Sequence, residues 1–272
     1  MPDAIENSDY PFVEFMKVKI NTLTYREVFQ VMEVLVANEQ KGYVCLTDVG
    51  NVVSAAKDKR LQTAINNSLL SLPDGAPLAK YARWAGYKGA ERISGARLME
   101  SLFAEKNGFS HYLLGDTDHT INKVIKKAKE IDQDIIITGY SPPFREFTPQ
   151  DNRDMIEKIQ QASPDIIWVS FGGGKQEKWM LNNIGNLEKG IMIGAGAAFK
   201  WFTGDLKIPP EIFQRLCLQW FFRLISELSA DSKKAGSHFL QRQLRKFPIF
   251  LVNFPLELAS ARRRYKSESD ST

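Results

Sequence analysis

Short apolar runs separated by helical periodicities constrain this chain more than any other feature of its sequence. The runs lie at 43–47, 69–72, 111–114, 135–138, 166–171 and 191–193, and each ends near small or polar residues. Helical patterns separate them over 52–67, 77–84, 95–106, 120–131, 149–161 and 176–183. Strand–helix alternation at this spacing predicts an α/β fold, a mostly parallel sheet with helices on both faces. Ahead of it the sequence predicts one strand over 13–20 and one helix over 25–37. With 272 residues, 43% of them hydrophobic, the chain can bury a core of this kind without staples. Its two cysteines, Cys45 and Cys217, are far apart and lack CxxC spacing, which predicts buried thiols in a reducing compartment.

After Trp201 both pattern and charge change. Basic and acidic residues number 23 and 25 through Phe199, but 13 and 5 from Lys200 to Lys266. Segment 212–228 predicts a helix of aromatic and aliphatic residues studded by Arg215 and Arg223. A second stretch, 239–258, holds an apolar run that prolines interrupt, with Arg242, Arg245 and Lys246 before it and three arginines at 262–264 after it. The run is about half the length that a membrane span needs. Aromatic residues beside basic ones suit a bilayer interface. A terminal helix packed on the body, with a solvated basic tail, would give the same composition. The charge asymmetry points to a polyanion or an anionic membrane surface, while the absence of a recognition motif argues against nucleic acid. The polar, acidic first ten residues predict no signal peptide, so the expectation is a soluble or peripheral cytoplasmic protein.

In an open parallel sheet the ligand site lies beyond the carboxyl ends of the strands. The segments to weigh are therefore those after each run. Two are glycine-rich, Gly172-Gly173-Gly174 and Gly194-Ala195-Gly196, and both can let backbone N–H groups approach a phosphate. Neither matches a dinucleotide or Walker pattern, and such glycines also serve close helix–strand packing. Asp74, between Pro73 and Gly75, would face a ligand at a strand end or would act as a turn residue or helix cap. Asp116-Thr117-Asp118 has the spacing of a divalent-cation site, or Asp118 caps the following helix. His111, His119 and His238 are scattered without ligand spacing.

Taken in order, these segments resemble the WecB/TagA/CpsF family of bacterial glycosyltransferases, glycosyltransferase family 26, over roughly 13–227. The resemblance rests on Leu72-Pro-Asp-Gly75, Arg92-Ile-Ser-Gly95, Gly139-Tyr-Ser-Pro-Pro-Phe144, Gly174-Lys-Gln-Glu-Lys-Trp179, Gly194-Ala-Gly-Ala-Ala-Phe199 and Gln214-Arg-Leu-Cys-Leu-Gln-Trp-Phe-Phe-Arg223. It implies a Rossmann-like catalytic domain over 1–200 and a C-terminal appendage over 201–272 that meets acceptor and membrane. The implied reaction is inverting transfer of a sugar, N-acetylmannosamine-like or another hexose, from a UDP-sugar to a polyprenyl-diphosphate-linked glycan. It would take place on the inner face of the cytoplasmic membrane, in cell-surface polysaccharide synthesis, with no metal or other cofactor.

Residue by residue, the resemblance assigns Asp74 as general base, removing the acceptor proton during attack. Thr47, Arg92 and Gln176 match active-site positions, with Arg92 set against leaving-diphosphate charge. Tyr140, Gly172, Gly173, Gly174, Gly194 and Gly196 become candidates for uridine or diphosphate contact. Arg223, with Arg215 and Lys233 of the same basic segment, is assigned to acceptor and membrane. The chain departs from the family's pattern at Asp48–Gly50, at Asp116, where glycine is common, and at Lys200, where aspartate is frequent. Asp116 and Asp118 stay as metal candidates on those grounds. The alternative is a non-catalytic sugar-nucleotide-binding subunit, and self-association through the apolar appendage is left open.

Overall fold

The computed structural model describes residues 9–105, 108–207 and 233–270, with side chains of the last helix from 245 onward apart from 268. A six-stranded parallel sheet forms the centre. Its strands are β3 (Lys41–Thr47), β4 (Leu70–Pro73), β5 (His111–Gly115), β6 (Ile137–Tyr140), β7 (Ile166–Ser170) and β8 (Gly190–Gly194), in spatial order β4-β3-β8-β7-β5-β6. Successive side chains of a strand point to opposite faces. Tyr43 and Cys45 therefore join one apolar cluster, and Val44 and Leu46 the other.

The first cluster is covered by α2 (Val49–Ala55), α3 (Lys59–Asn66), α4 (Ala76–Ala85), α7 (Pro149–Ala162) and α8 (Lys175–Asn183). The second is covered by α1 (Tyr25–Ala37), α5 (Gly95–Ala104), α6 (Asp118–Ile131) and α9 (Ala198–Thr203). Local chemistry sets several of these helices. Thr24 and Glu27 form a capping box at the start of α1, whose Val28, Val31, Met32 and Leu35 make one buried stripe.

Three expectations about the first 140 residues need correction. The strand expected at 13–20 is an antiparallel hairpin of β1 (Phe12–Phe15) and β2 (Val18–Asn21). Its two-residue turn uses Met16 and Lys17 at φ of 50° and 64°, and the Asn66 side chain bonds the Lys17 carbonyl and the Lys19 amide. A distant carboxamide thus supports a turn that carries no glycine or asparagine of its own. The helix expected at 52–67 is broken where Asp58 caps α3 by accepting from Leu61 N–H. The edge strand β6 lies two residues later than its hydrophobicity suggests, pairing Ile137 with His111 and leaving Ile136 exposed.

The last described helix, α10 (Lys233–Ser269), runs through both Pro248 and Pro255 for 37 residues, so the prolines do not interrupt it. It packs against β1, α2 and α4. Phe250 and Ala261 are buried, while Leu251, Val252 and Leu256 are exposed. Among the described residues no helix is long and apolar enough to cross a membrane.

Candidate active site

Strands β3 and β8 are neighbours, yet the helices that follow them, α2 and α9, cover opposite faces of the sheet. The backbone diverges there and leaves a crevice beyond the carboxyl ends, the position where such sheets bind ligands. The loops after β3, β4, β7 and β8 converge on it.

On the β4 side, Asp74 and Thr47 share one backbone junction. Thr47 is fully buried, its hydroxyl lies 2.9 Å from that of Ser71, and its carbonyl accepts from Asp74 N–H at 3.0 Å. The cap position of α4 is Gly75, with no side-chain cap, so the Asp74 carboxylate is not the helix cap. Residues 92–93 run alongside: Ile93 N–H bonds the Pro73 carbonyl at 2.9 Å and Arg92 Nε donates to the Asp74 carbonyl at 2.8 Å. Glu91 instead accepts from Tyr25 N–H at the start of α1. Arg92 is thereby fixed to the main chain of the residue with which the resemblance associates it.

On the β7–β8 side, Gln176 is buried in the first turn of α8, not exposed at a helix start. Its Oε1 accepts from Gly196 N–H at 3.1 Å, and a Cβ on Gly194 would lie 2.9 Å from its Nε2. The glycine at 194 makes room for this amide, which in turn holds the loop after β8. Ser170 Oγ braces the same loop by donating to the Gly196 carbonyl. Gly174, at φ 84°, caps α8, and its N–H donates to Glu177 Oε2 at 2.6 Å.

Sequence reasoning passed over Glu177 and Asn51. Glu177 is fully buried and accepts from Asn51 Nδ2 at 3.1 Å and from Gln176 Nε2 at 3.2 Å. Burial, with Asp48 adding repulsion, pushes its carboxyl up to about 7 despite these donors. The spacing Gly174-x-x-Glu177 was a legible capping signal; the contact with Asn51, 126 residues away, was not.

The remaining candidates are distributed differently. Tyr140 ends the edge strand β6, three strands from β8 and so roughly 14 Å across the sheet at ordinary strand spacing, with Lys158 over its ring. Asp116 adopts φ 57°, its side chain only 8% exposed, and pairs with Lys200 at 3.5 Å. Two of the departures from the family's pattern, Asp116 and Lys200, thus face each other as opposite charges. Asp118 is the first residue of α6 and Thr117 supplies the cap, so Asp118 is not the capping residue. Among the described residues no three potential ligand side chains cluster around a metal position. Arg215, Arg223 and Cys217 lie outside the described residues, and of Lys233 only the backbone, at the start of α10, is described.

The glycosyl transferase WecG/TagA/CpsF family matches residues 13–264. Three relatives carry the name N-acetylglucosaminyldiphosphoundecaprenol N-acetyl-beta-D-mannosaminyltransferase. The chain is 31% identical to that of Bacillus subtilis strain 168 over 174 residues, 63% of this chain and 66% of the relative. It is 26% identical to that of Bacillus spizizenii over 200 residues, 72% and 76% of the two chains. With that of Staphylococcus aureus strain NCTC 8325 it shares 24% over 265 residues, 96% and 97% of the two.

Proposed function

This chain belongs to the WecG/TagA/CpsF family of glycosyltransferases, and we propose that it moves a sugar from a UDP-sugar onto a polyprenyl-diphosphate-linked glycan with inversion. The relatives' names support the acceptor class, since they denote transfer to N-acetylglucosaminyl-diphosphoundecaprenol. The single observation that carries the mechanism is Asp74. It follows a buried strand end, does not cap α4, and has Thr47 and Arg92 bonded to its own main chain.

One displacement suffices for inversion. The acceptor hydroxyl gives its proton to the Asp74 carboxylate as its oxygen attacks the anomeric carbon, and the bond from that carbon to the UDP oxygen breaks. Arg92 stabilises the charge that gathers on the departing diphosphate. The glycine-rich loops at 172–174 and 194–196, the latter fixed by Gln176, receive the donor. Tyr140 contacts the uridine end of the donor, and Arg215, Arg223 and Lys233 serve the acceptor diphosphate and membrane. Residues 1–200 form the catalytic domain and 201–272 the appendage.

The test is UDP release from a panel of UDP-sugars with a short-chain polyprenyl-diphosphate-GlcNAc acceptor, with and without EDTA. Acceptor-dependent release that survives EDTA is the expected result. Loss in EDTA with restoration by Mg²⁺ or Mn²⁺ would instead make Asp116 and Asp118 ligands. Absence of release with every donor would favour the binding-subunit alternative.

The outer side of α10 is the membrane-facing surface in this reading. Leu251, Val252 and Leu256 are 54%, 76% and 74% exposed, and Arg262, Arg263 and Lys266 follow on the same helix, exposed to solvent. Arg264 is paired with Glu14 and Arg262 Nε bonds the Trp84 carbonyl of α4, whereas Arg263 Nε bonds only the Ala259 carbonyl of its own helix, so Arg263 and Lys266 are the cations assigned to lipid. Replacing Leu251, Val252 and Leu256 together by serine is expected to weaken binding to phosphatidylglycerol vesicles by at least about tenfold, because insertion scales with buried apolar area. Sedimentation with vesicles measures it; unchanged binding would assign the helix to packing alone.

A further inference from the structure

Glu177 is a buried carboxylate surrounded by donors. Gly174 N–H, Asn51 Nδ2 and Gln176 Nε2 all point hydrogens at it, from the β7–α8 loop, from α2 and from α8 itself. An ionised carboxylate only accepts, and Gly196 N–H only donates. The Gln176 amide lies between them, so one orientation satisfies both: Nε2 toward Glu177 and Oε1 toward Gly196. We propose that Glu177 is a positioning residue, whose ionised carboxylate sets the orientation of the Gln176 amide and thereby holds the 194–196 loop against the crevice. The proposal deepens the reading above, in which that loop receives the donor.

A proton on Glu177 turns one of its oxygens into a donor that needs an acceptor. The Gln176 amide supplies one by flipping, which sets its NH₂ against Gly196 N–H and breaks the bond that holds the loop. The proton itself exchanges with solvent, and no other bond changes. Burial raises the carboxyl to about 7, so this exchange falls near neutral pH. Among the described residues, these titratable and charged groups lie on the elements packed about Glu177. Asp48 and the buried Cys45 thiol lie on the β3 side, the thiol pushed up by burial and by Glu177 itself. The Lys178–Asp58 pair joins α8 to α3, Lys175 sits over the Phe147 ring, and Lys246 of α10 donates to the Gly50 carbonyl.

The same burial fixes the sign of a stability effect. A carboxyl whose folded pKa exceeds its unfolded value stabilises the fold in its protonated form, and that contribution is lost as pH rises from about 4.5 through about 7. The ionised form that orients Gln176 is thus the less stable one.

The experiment uses the full chain. In the wild type, the Gly196 backbone amide and the Gln176 side-chain amide, followed by ¹H–¹⁵N NMR from pH 5.5 to 8.5, are expected to titrate together with one midpoint. In Glu177→Gln, which cannot present two accepting oxygens, both signals should be flat. The variant should lose on the order of 100-fold in kcat, the scale of an ångström-level misplacement, along with the acidic limb of the wild-type pH profile. Its urea midpoint should not fall between pH 4.5 and 7 as the wild type's does. A wild-type Gly196 amide that stays unmoved across the range would overturn the proposal, whether or not the variant folds. So would wild-type kcat and an unaltered pH profile in a folded Glu177→Gln. Because the amide titration needs no substrate, it remains decisive even if no donor is turned over, an outcome that would count only against the proposed reaction.

Discussion

Asp74→Asn is expected to lower turnover by roughly 10²- to 10⁴-fold, the range of a positioned general base, while UDP affinity changes little. The substitution keeps the shape of the side chain while removing its negative charge and its capacity to take a proton. Asp74 contributes its main chain to the junction: its N–H donates to the Thr47 carbonyl and its carbonyl accepts from Arg92 Nε, and neither bond involves the carboxylate. The cap position of α4 is Gly75, so Asp74 is not its capping residue. Steady-state UDP release and calorimetric UDP binding, measured on the same preparation, separate the two effects. Retained turnover would remove Asp74 from the mechanism. Lost binding with lost turnover would place it with the donor instead of the acceptor hydroxyl.

Phe250→Ala is the second large effect, expected on stability at about 3–5 kcal/mol, as for other large-to-small aromatic replacements in cores. Phe250 is 2% exposed and stacks on Phe15 of the N-terminal hairpin at 4.9 Å, with Phe254 at 5.4 Å and Phe247 at 6.0 Å. Phe15 in turn meets Tyr81 of α4 edge-on. One ring therefore joins α10, β1 and α4, elements distant in sequence. For a chain of this length the loss corresponds to a fall in melting temperature on the order of 10 °C. The neighbouring Leu251→Ser, at an exposed site on the same helix, should leave the melting temperature within about 2 °C, consistent with small surface effects. A Phe250→Ala melt indistinguishable from wild type would mean that α10 does not rest on the body through this cluster.

Much of this molecule was legible before any coordinates. The alternation of apolar runs and helical patterns specified the parallel sheet, because strand and helix periodicities are properties of a few consecutive residues. The glycine-rich loops and Asp74 could be assigned to one end of that sheet by the same reasoning, since in a parallel sheet every strand delivers its following loop to the same side. Family-like motifs in order then pointed to the family, and the match over residues 13–264 shows that membership.

What the sequence did not contain was which distant residues would meet. Nothing local places β8 between β3 and β7, yet that order decides that the loop after β8 faces those after β3 and β7. Only then does Glu177 reach Asn51, Asp116 find Lys200, and Gln176 hold Gly196. The hairpin turn at Met16 and Lys17 is of the same kind, supported by Asn66 from α3 and unmarked by any turn residue. So is α10, which stays helical through two prolines while its apolar side packs against β1, α2 and α4. Periodicity and capping are encoded within a turn or two of chain. Long-range partners depend on strand order and register, which many sequences share and only the packed core selects.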